Sequence, residues 1–334
     1  MLVGALLVTT TSPADAHEVG TTQSSNYVTT LDGIEPLVRG LTARVGTDQR
    51  IELRNTTRHI VEVTGYQGEQ YLRIGRNGVW ENRRSPAVFL NRTATPTEVP
   101  PGRYDAEADP VWKQISNGNV ARWHEHRAHW MARTHTSGKS TNVHNEQVLI
   151  SNWEIPLEWN STELSITGDT LWVEGPSPLP WLFGAIALAI AVIAGSHTRA
   201  WSAIAGGVLG LLIITEMPHI GDSLIGSTAA IGSRVAASAY PITSIVIAVV
   251  TIVWIVRRGL PSAAPALLIT GLFIAVTGGL GELSTLSSSQ LATTLPYWWT
   301  RMGVMFAIGL GSGCLIASAL HLRQSNPEPT RQTV

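Results

Sequence analysis

The amino-acid sequence predicts two parts of different character: an extracytoplasmic antiparallel β-sandwich, then an all-α membrane domain of about five transmembrane helices. Three observations predict this. Of 334 residues, 44% are hydrophobic and only 14% charged, against roughly 25% charged in an ordinary soluble domain. The charges crowd into residues 17–175, while residues 181–322 are mostly Ala, Ile, Leu, Val, Gly, Ser and Thr. Within the polar half, short runs alternate apolar and polar residues, the period of a strand with one buried face. This balance excludes a fully soluble protein and a pure multi-span transporter. A net charge of −1 without a basic face also argues against a nucleic-acid partner.

Residues 1–16 hold a short apolar run ending in Ala14-Asp15-Ala16, the pattern of a signal peptide cut after Ala16. The usual positive segment before the run is missing, so the expectation is a signal peptide incomplete at its start. Cleavage would make His17 the new N-terminus. The β-domain is expected over 17–175. Its alternating runs include Arg50–Arg54, His59–Val63 and Gln70–Ile74, with more strands over Gln147–Val173. Asn77-Gly78 fits a tight hairpin turn whose two central residues both need positive φ. Gly175-Pro176-Ser177-Pro178-Leu179-Pro180 supplies a stiff Pro-rich linker over 176–180.

A transmembrane domain is then expected over 181–321, with a cytoplasmic tail at 322–334. Five apolar stretches fall at about 181–196, 201–217, 238–256, 262–281 and 303–321, with a half-inserted sixth segment around 222–236 left open. The connections His197-Thr198-Arg199 and Arg257-Arg258, and the tail with Arg323 and Arg331, are basic. Five spans with the β-domain outside put all three on the cytoplasmic side, as the positive-inside rule requires. Gly206, Gly207 and Gly210, and Gly278, Gly279, Gly309, Gly311 and Gly313, are expected to permit close helix packing.

Chemistry concentrates in Arg122-Trp123-His124-Glu125-His126-Arg127-Ala128-His129-Trp130-Met131, followed by His135 and His144. On a strand His124 and His126 share a face, whereas on a helix His126 and His129 do. Either geometry brings two imidazoles to one ion, and imidazole suits copper and zinc. The metal ligands expected are His124, His126 and His129, with His17, His135 and His144 in reserve. Copper is the expected ion, with zinc as the substitute. A packed, aromatic, His-rich surface segment and a pH sensor remain open alternatives. The single cysteine, Cys314, excludes an intrachain disulfide or thiolate cluster.

His17 offers an amine and a ring nitrogen to one ion, and so resembles the histidine start of exported copper proteins of the CopC type. That resemblance covers His17 and its cleavage site. Over its whole length the chain resembles uncharacterised exported actinobacterial membrane proteins with a Trp-His-x-His-Arg-x-His-Trp-Met segment, which implies an architecture and no activity.

A second group of ionisable residues is expected at the outer membrane surface: Glu216, His219, Asp222, Arg234, Glu282 and Arg301. Ion pairs between these arginines and carboxylates would fasten the spans; passage of an ion is the alternative. No phosphate-binding loop, nucleophile elbow or dinucleotide fingerprint occurs. The leading expectation is an extracytoplasmic transition-metal binding membrane protein, with copper as its ion, for storage, delivery or uptake, with the lipid bilayer as its partner. The alternative is a non-enzymatic envelope scaffold or subunit that binds another exported or membrane protein. An enzyme with metal-activated water and Glu125 as base is the third and least favoured class.

Overall fold

A computed structural model describes residues 24–46, 49–91, 99–100, 102–129, 147–226, 231–291 and 293–325. The expected signal peptide, His17, Trp130, Met131, His135, His144 and most of the tail lie outside the described residues.

Among the described residues the polar half forms ten strands: β1 (Tyr27–Glu35), β2 (Leu41–Val45), β3 (Ile51–Asn55), β4 (Val61–Thr64), β5 (Gln70–Gly75), β6 (Gly78–Asn82), β7 (Trp112–Ser116), β8 (Val120–Trp123), β9 (Val148–Trp159) and β10 (Thr162–Trp172). A short helix, α1 (Pro86–Leu90), interrupts them. One sheet runs β1-β10-β9-β4-β5-β6-β7 and the other β2-β3-β8, every pairing antiparallel. Alternation drives this arrangement. Leu164 and Ile166 of β10 and Ile155 and Leu157 of β9 turn inward, meeting Ile51 and Leu53 of the small sheet in one core. Burying each such side chain contributes roughly 1.5–3 kcal/mol. Gly168 has a packing reason: a Cβ there would meet the Trp153 ring at 2.4 Å.

The hairpin expected at Asn77-Gly78 exists but is centred one residue earlier. Gly75 pairs with Gly78, leaving Arg76 and Asn77 as the loop, and neither has positive φ. Gly78 is instead accounted for by Trp80, whose ring would lie 2.5 Å from an added Cβ. The turn with two positive-φ residues joins β9 to β10, at Asn160 (φ 50°) and Ser161 (φ 59°).

Among the described residues, five helices long and apolar enough to cross a membrane follow: Leu179–Ser196, Trp201–Ile225, Arg234–Arg258, Leu260–Leu286 and Tyr297–Gln324. Their regular α-helical parts are α2 (Leu179–Ser196), α3 (Trp201–Gly221), α4 (Ile231–Arg258), α5 (Leu260–Ile274) and α6 (Tyr297–Ser325). The stretch around 222–236 is shared between neighbours: Asp222–Gly226 prolongs α3 as a π-helix and Ile231 opens α4. α5 continues as a π-helix (Ala275–Gly279) and a 3-10 segment (Leu280–Leu286). Glycine packing holds for α6, where a Cβ at Gly309 would meet the Ala185 oxygen at 2.5 Å and one at Gly313 the Val192 side chain at 2.7 Å. It fails for Gly206, Gly207 and Gly210, which have open space beside them.

The basic connections share one end of the bundle. The His321 ring bonds the Ser196 oxygen at 3.0 Å, so α2 and α6 run parallel and finish together. The β-domain meets the opposite end, where Ser25 and Gln290 exchange two backbone bonds of 2.9 Å and Ser289 N–H donates to Asn26 Oδ1 at 2.9 Å.

Candidate metal centre

The histidine segment is neither a continuous strand nor a helix. β8 stops at Trp123, and after His124 and Glu125 the chain makes one 3-10 turn, His126–Ala128. Long-range bonds hold this turn. Thr29 of β1 and Thr170 of β10 both donate hydroxyls to the Ala128 oxygen, at 2.5 and 3.1 Å. The Tyr66 hydroxyl accepts from His126 N–H at 2.9 Å. Arg127 donates to the Thr64 carbonyl at 3.0 Å and lies over the Tyr66 ring.

Glu125 is the hub. Fully buried, it accepts from Trp123 Nε1 (2.9 Å), Arg127 Nε (2.9 Å) and Arg127 Nη2 (3.0 Å). Burial works against its charge, but the Arg127 and Trp123 donors win and hold the carboxyl below its usual range. With its oxygens so engaged, Glu125 is a poor base for bound water, which weighs against the enzyme reading.

The irregular turn brings His124 and His129 together, ring centroids 4.2 Å apart and tilted 39°. His126 stands edge-on to His124 at 5.2 Å and is half-buried. The grouping therefore differs from both expected geometries: the closest pair is 124 and 129, which neither a straight strand nor a helix would juxtapose. Burial depresses the pKa of both, His124 well below its ordinary value and further lowered by His129, His126 and Arg50. The rings are neutral at pH 7.

In His129, Nδ1 lies 2.6 Å from the Glu125 carbonyl oxygen. A carbonyl only accepts, so Nδ1 carries the hydrogen and Nε2 the lone pair. Nε2 of His129 and Nε2 of His124 are both buried without a hydrogen-bond partner. The Gln49 backbone lies close enough to the His129 ring to act on it through hydrogen bonding, a smaller effect than the burial that depresses its pKa, and the buried side-chain amide nitrogen of Gln49 is unpartnered. Antiparallel pairing of Ile51 with Trp123 brings Gln49 to this place. Gln49, Tyr66 and Glu125's hub role carry no short-range motif, so sequence alone does not reveal them. Among the described residues no group of three or more His, Cys, Asp or Glu is placed to hold one ion.

The second expected group lies at the end of the bundle facing the β-domain. Glu216 is buried and accepts from the Tyr240 hydroxyl at 3.2 Å. Asp222 accepts from Thr293 Oγ1 (2.7 Å), Thr294 N (2.9 Å) and the Thr294 hydroxyl. The arginines take backbone oxygens: Arg234 that of Leu224, and Arg301 those of Thr285 and Ser288. Glu216 and Asp222 are thus satisfied by hydroxyls and an amide rather than by the expected arginines. Glu282 occupies a non-helical position inside the 3-10 segment, and the His219 ring approaches Gly303.

The fold defines a β-sheet domain joined to a bundle of membrane-capable helices. No family model matches the chain, and no curated protein matches it.

Proposed function

We propose that His124 and His129 supply two nitrogen ligands to one transition-metal ion, copper in preference to zinc, in the extracytoplasmic domain of a membrane protein that stores, delivers or takes up the metal. One observation carries this reading: two buried Nε2 atoms on adjoining neutral rings have no partner, and one ring has its tautomer set by a carbonyl at Nδ1. Leaving such a nitrogen unpaired costs roughly 1–3 kcal/mol, which a metal bond would repay. Zinc normally takes four ligands in a structural site. A dry two-imidazole pair suits the lower coordination of cuprous ion. The basic connections at the end away from the β-domain support an outer location through the positive-inside rule.

The test is elemental analysis of the purified full chain after copper loading and desalting. The expected result is about one ion per chain, lost in His124→Ala and in His129→Ala and kept in His59→Ala, whose ring packs on Trp159 away from the pair. Equal copper in all four proteins removes the assignment and leaves the scaffold reading.

A further inference from the structure

The β-domain and the helices meet around a cavity of 570 Å³, lined by Glu174 to Ser177 of the connecting segment and by Ser289, Tyr297 and Arg301. That volume falls within the roughly 300–1,000 Å³ of small-molecule sites. Arg301 directs Nη2 at the Ser288 oxygen (2.8 Å) and Nε at the Thr285 oxygen (3.3 Å). Both acceptors are neutral, so the fork is held in place while its charge stays uncompensated by them. Ser289 Oγ is buried without a hydrogen-bond partner, and Ser177 Oγ accepts only a 3.4 Å bond from Leu179 N, leaving its hydrogen to donate. Glu174 adds a carboxylate to the same lining.

The cavity lies where α2 and α6 both begin, so two helix N-termini add positive potential beside it. Trp181 lies at the start of α2, and Trp298 and Trp299, whose rings meet edge-on at 5.6 Å, lie at the start of α6. Aromatic residues at helix ends mark the depth of lipid headgroups. We propose that the cavity receives the headgroup of a zwitterionic phospholipid, phosphate against Arg301 and the serine hydroxyls, ammonium toward Glu174. This rests on the helices crossing a bilayer and is independent of the metal site.

The test uses the full chain in detergent, measuring melting temperature and retained lipid by native mass spectrometry. The additives are phosphatidylethanolamine, phosphatidylglycerol, diacylglycerol and inorganic phosphate. Phosphatidylethanolamine should raise the melting temperature most and stay bound as a single adduct. Ser177→Phe, which fills the cavity from an exposed position, and Arg301→Gln should both abolish the adduct. Glu174→Gln should erase the preference over phosphatidylglycerol. Because Arg301→Gln also removes two loop bonds, Ser177→Phe decides if that variant fails to fold. Equal stabilisation by diacylglycerol, or an adduct unchanged in Ser177→Phe, overturns the proposal. A full effect from inorganic phosphate alone makes this a free-anion site and overturns the lipid assignment. A preference that survives Glu174→Gln overturns the zwitterion assignment.

Discussion

Nδ1 of His129 lies 2.6 Å from the backbone oxygen of Glu125, and that bond leaves the ring's lone pair on Nε2. The same residue supplies both halves of the device. The Glu125 carbonyl orients His129, while its carboxylate ties Trp123 to Arg127 and so fixes the turn on which His129 stands. Metal-binding imidazoles commonly show this division, one nitrogen anchored and the other bare.

The buried pair should make the fold acid-sensitive. Unfolded, both imidazoles titrate near 6.5. Folded, burial holds both below that value. As pH falls below about 6.5 the unfolded chain therefore takes up protons that the folded chain refuses, and stability present above that pH is progressively lost. Urea melts between about pH 7.5 and 5 should show this slope, and a His124→Leu, His129→Leu double variant should flatten it. An unchanged slope in the double variant would contradict the burial argument.

Glu125→Gln should cost about 3 kcal/mol, because it strands the largely buried Arg127 guanidinium. Chemical denaturation of the apo-protein measures it. A loss under about 1 kcal/mol, the scale of one ordinary hydrogen bond, would show that the network does not hold the turn.

At the junction, Gly175 packs so closely that an added Cβ would fall 1.6 Å from the Ser287 oxygen. Gly175→Ala should therefore pry the connecting segment off the loop and speed proteolysis between residues 175 and 180. Asn26→Ala, which removes one 2.9 Å bond, should do so more weakly. Cleavage as slow as in the wild type would mean that the two parts are held elsewhere.

In the bundle, Glu216 should couple to Tyr240 rather than to an arginine. A double-mutant cycle of Glu216→Gln and Tyr240→Phe should give an interaction of about 0.5–1.5 kcal/mol, with Glu216→Gln and Arg234→Gln additive. The reverse pattern would restore the ion-pair expectation.

What the sequence revealed depended on the range of the forces involved. Apolar composition is local, so the expected span 238–256 falls inside Arg234–Arg258 and the first span differs by two residues at its start. Strand alternation is local too, and Gln70–Ile74 recurs nearly unchanged in β5. Turn chemistry proved less legible: Gly78 reads as a turn residue but is there for the Trp80 ring, while Asn160-Ser161 makes the positive-φ turn without a glycine. The pairing of His124 with His129 was hidden because the 3-10 turn is imposed by Thr29, Tyr66 and Thr170, as many as 99 residues away along the chain. Glu216 and Asp222 looked like partners for arginine because composition cannot show that hydroxyls of Tyr240, Thr293 and Thr294 reach them first.

The most direct measurement of the proposed site is X-ray absorption at the copper edge on the loaded full chain. The expected spectrum shows imidazole scattering from at least two histidine nitrogens at about 2 Å, reduced in His129→Ala. A spectrum without imidazole scattering, or one identical in wild type and a His124→Ala, His129→Ala double variant, would contradict it.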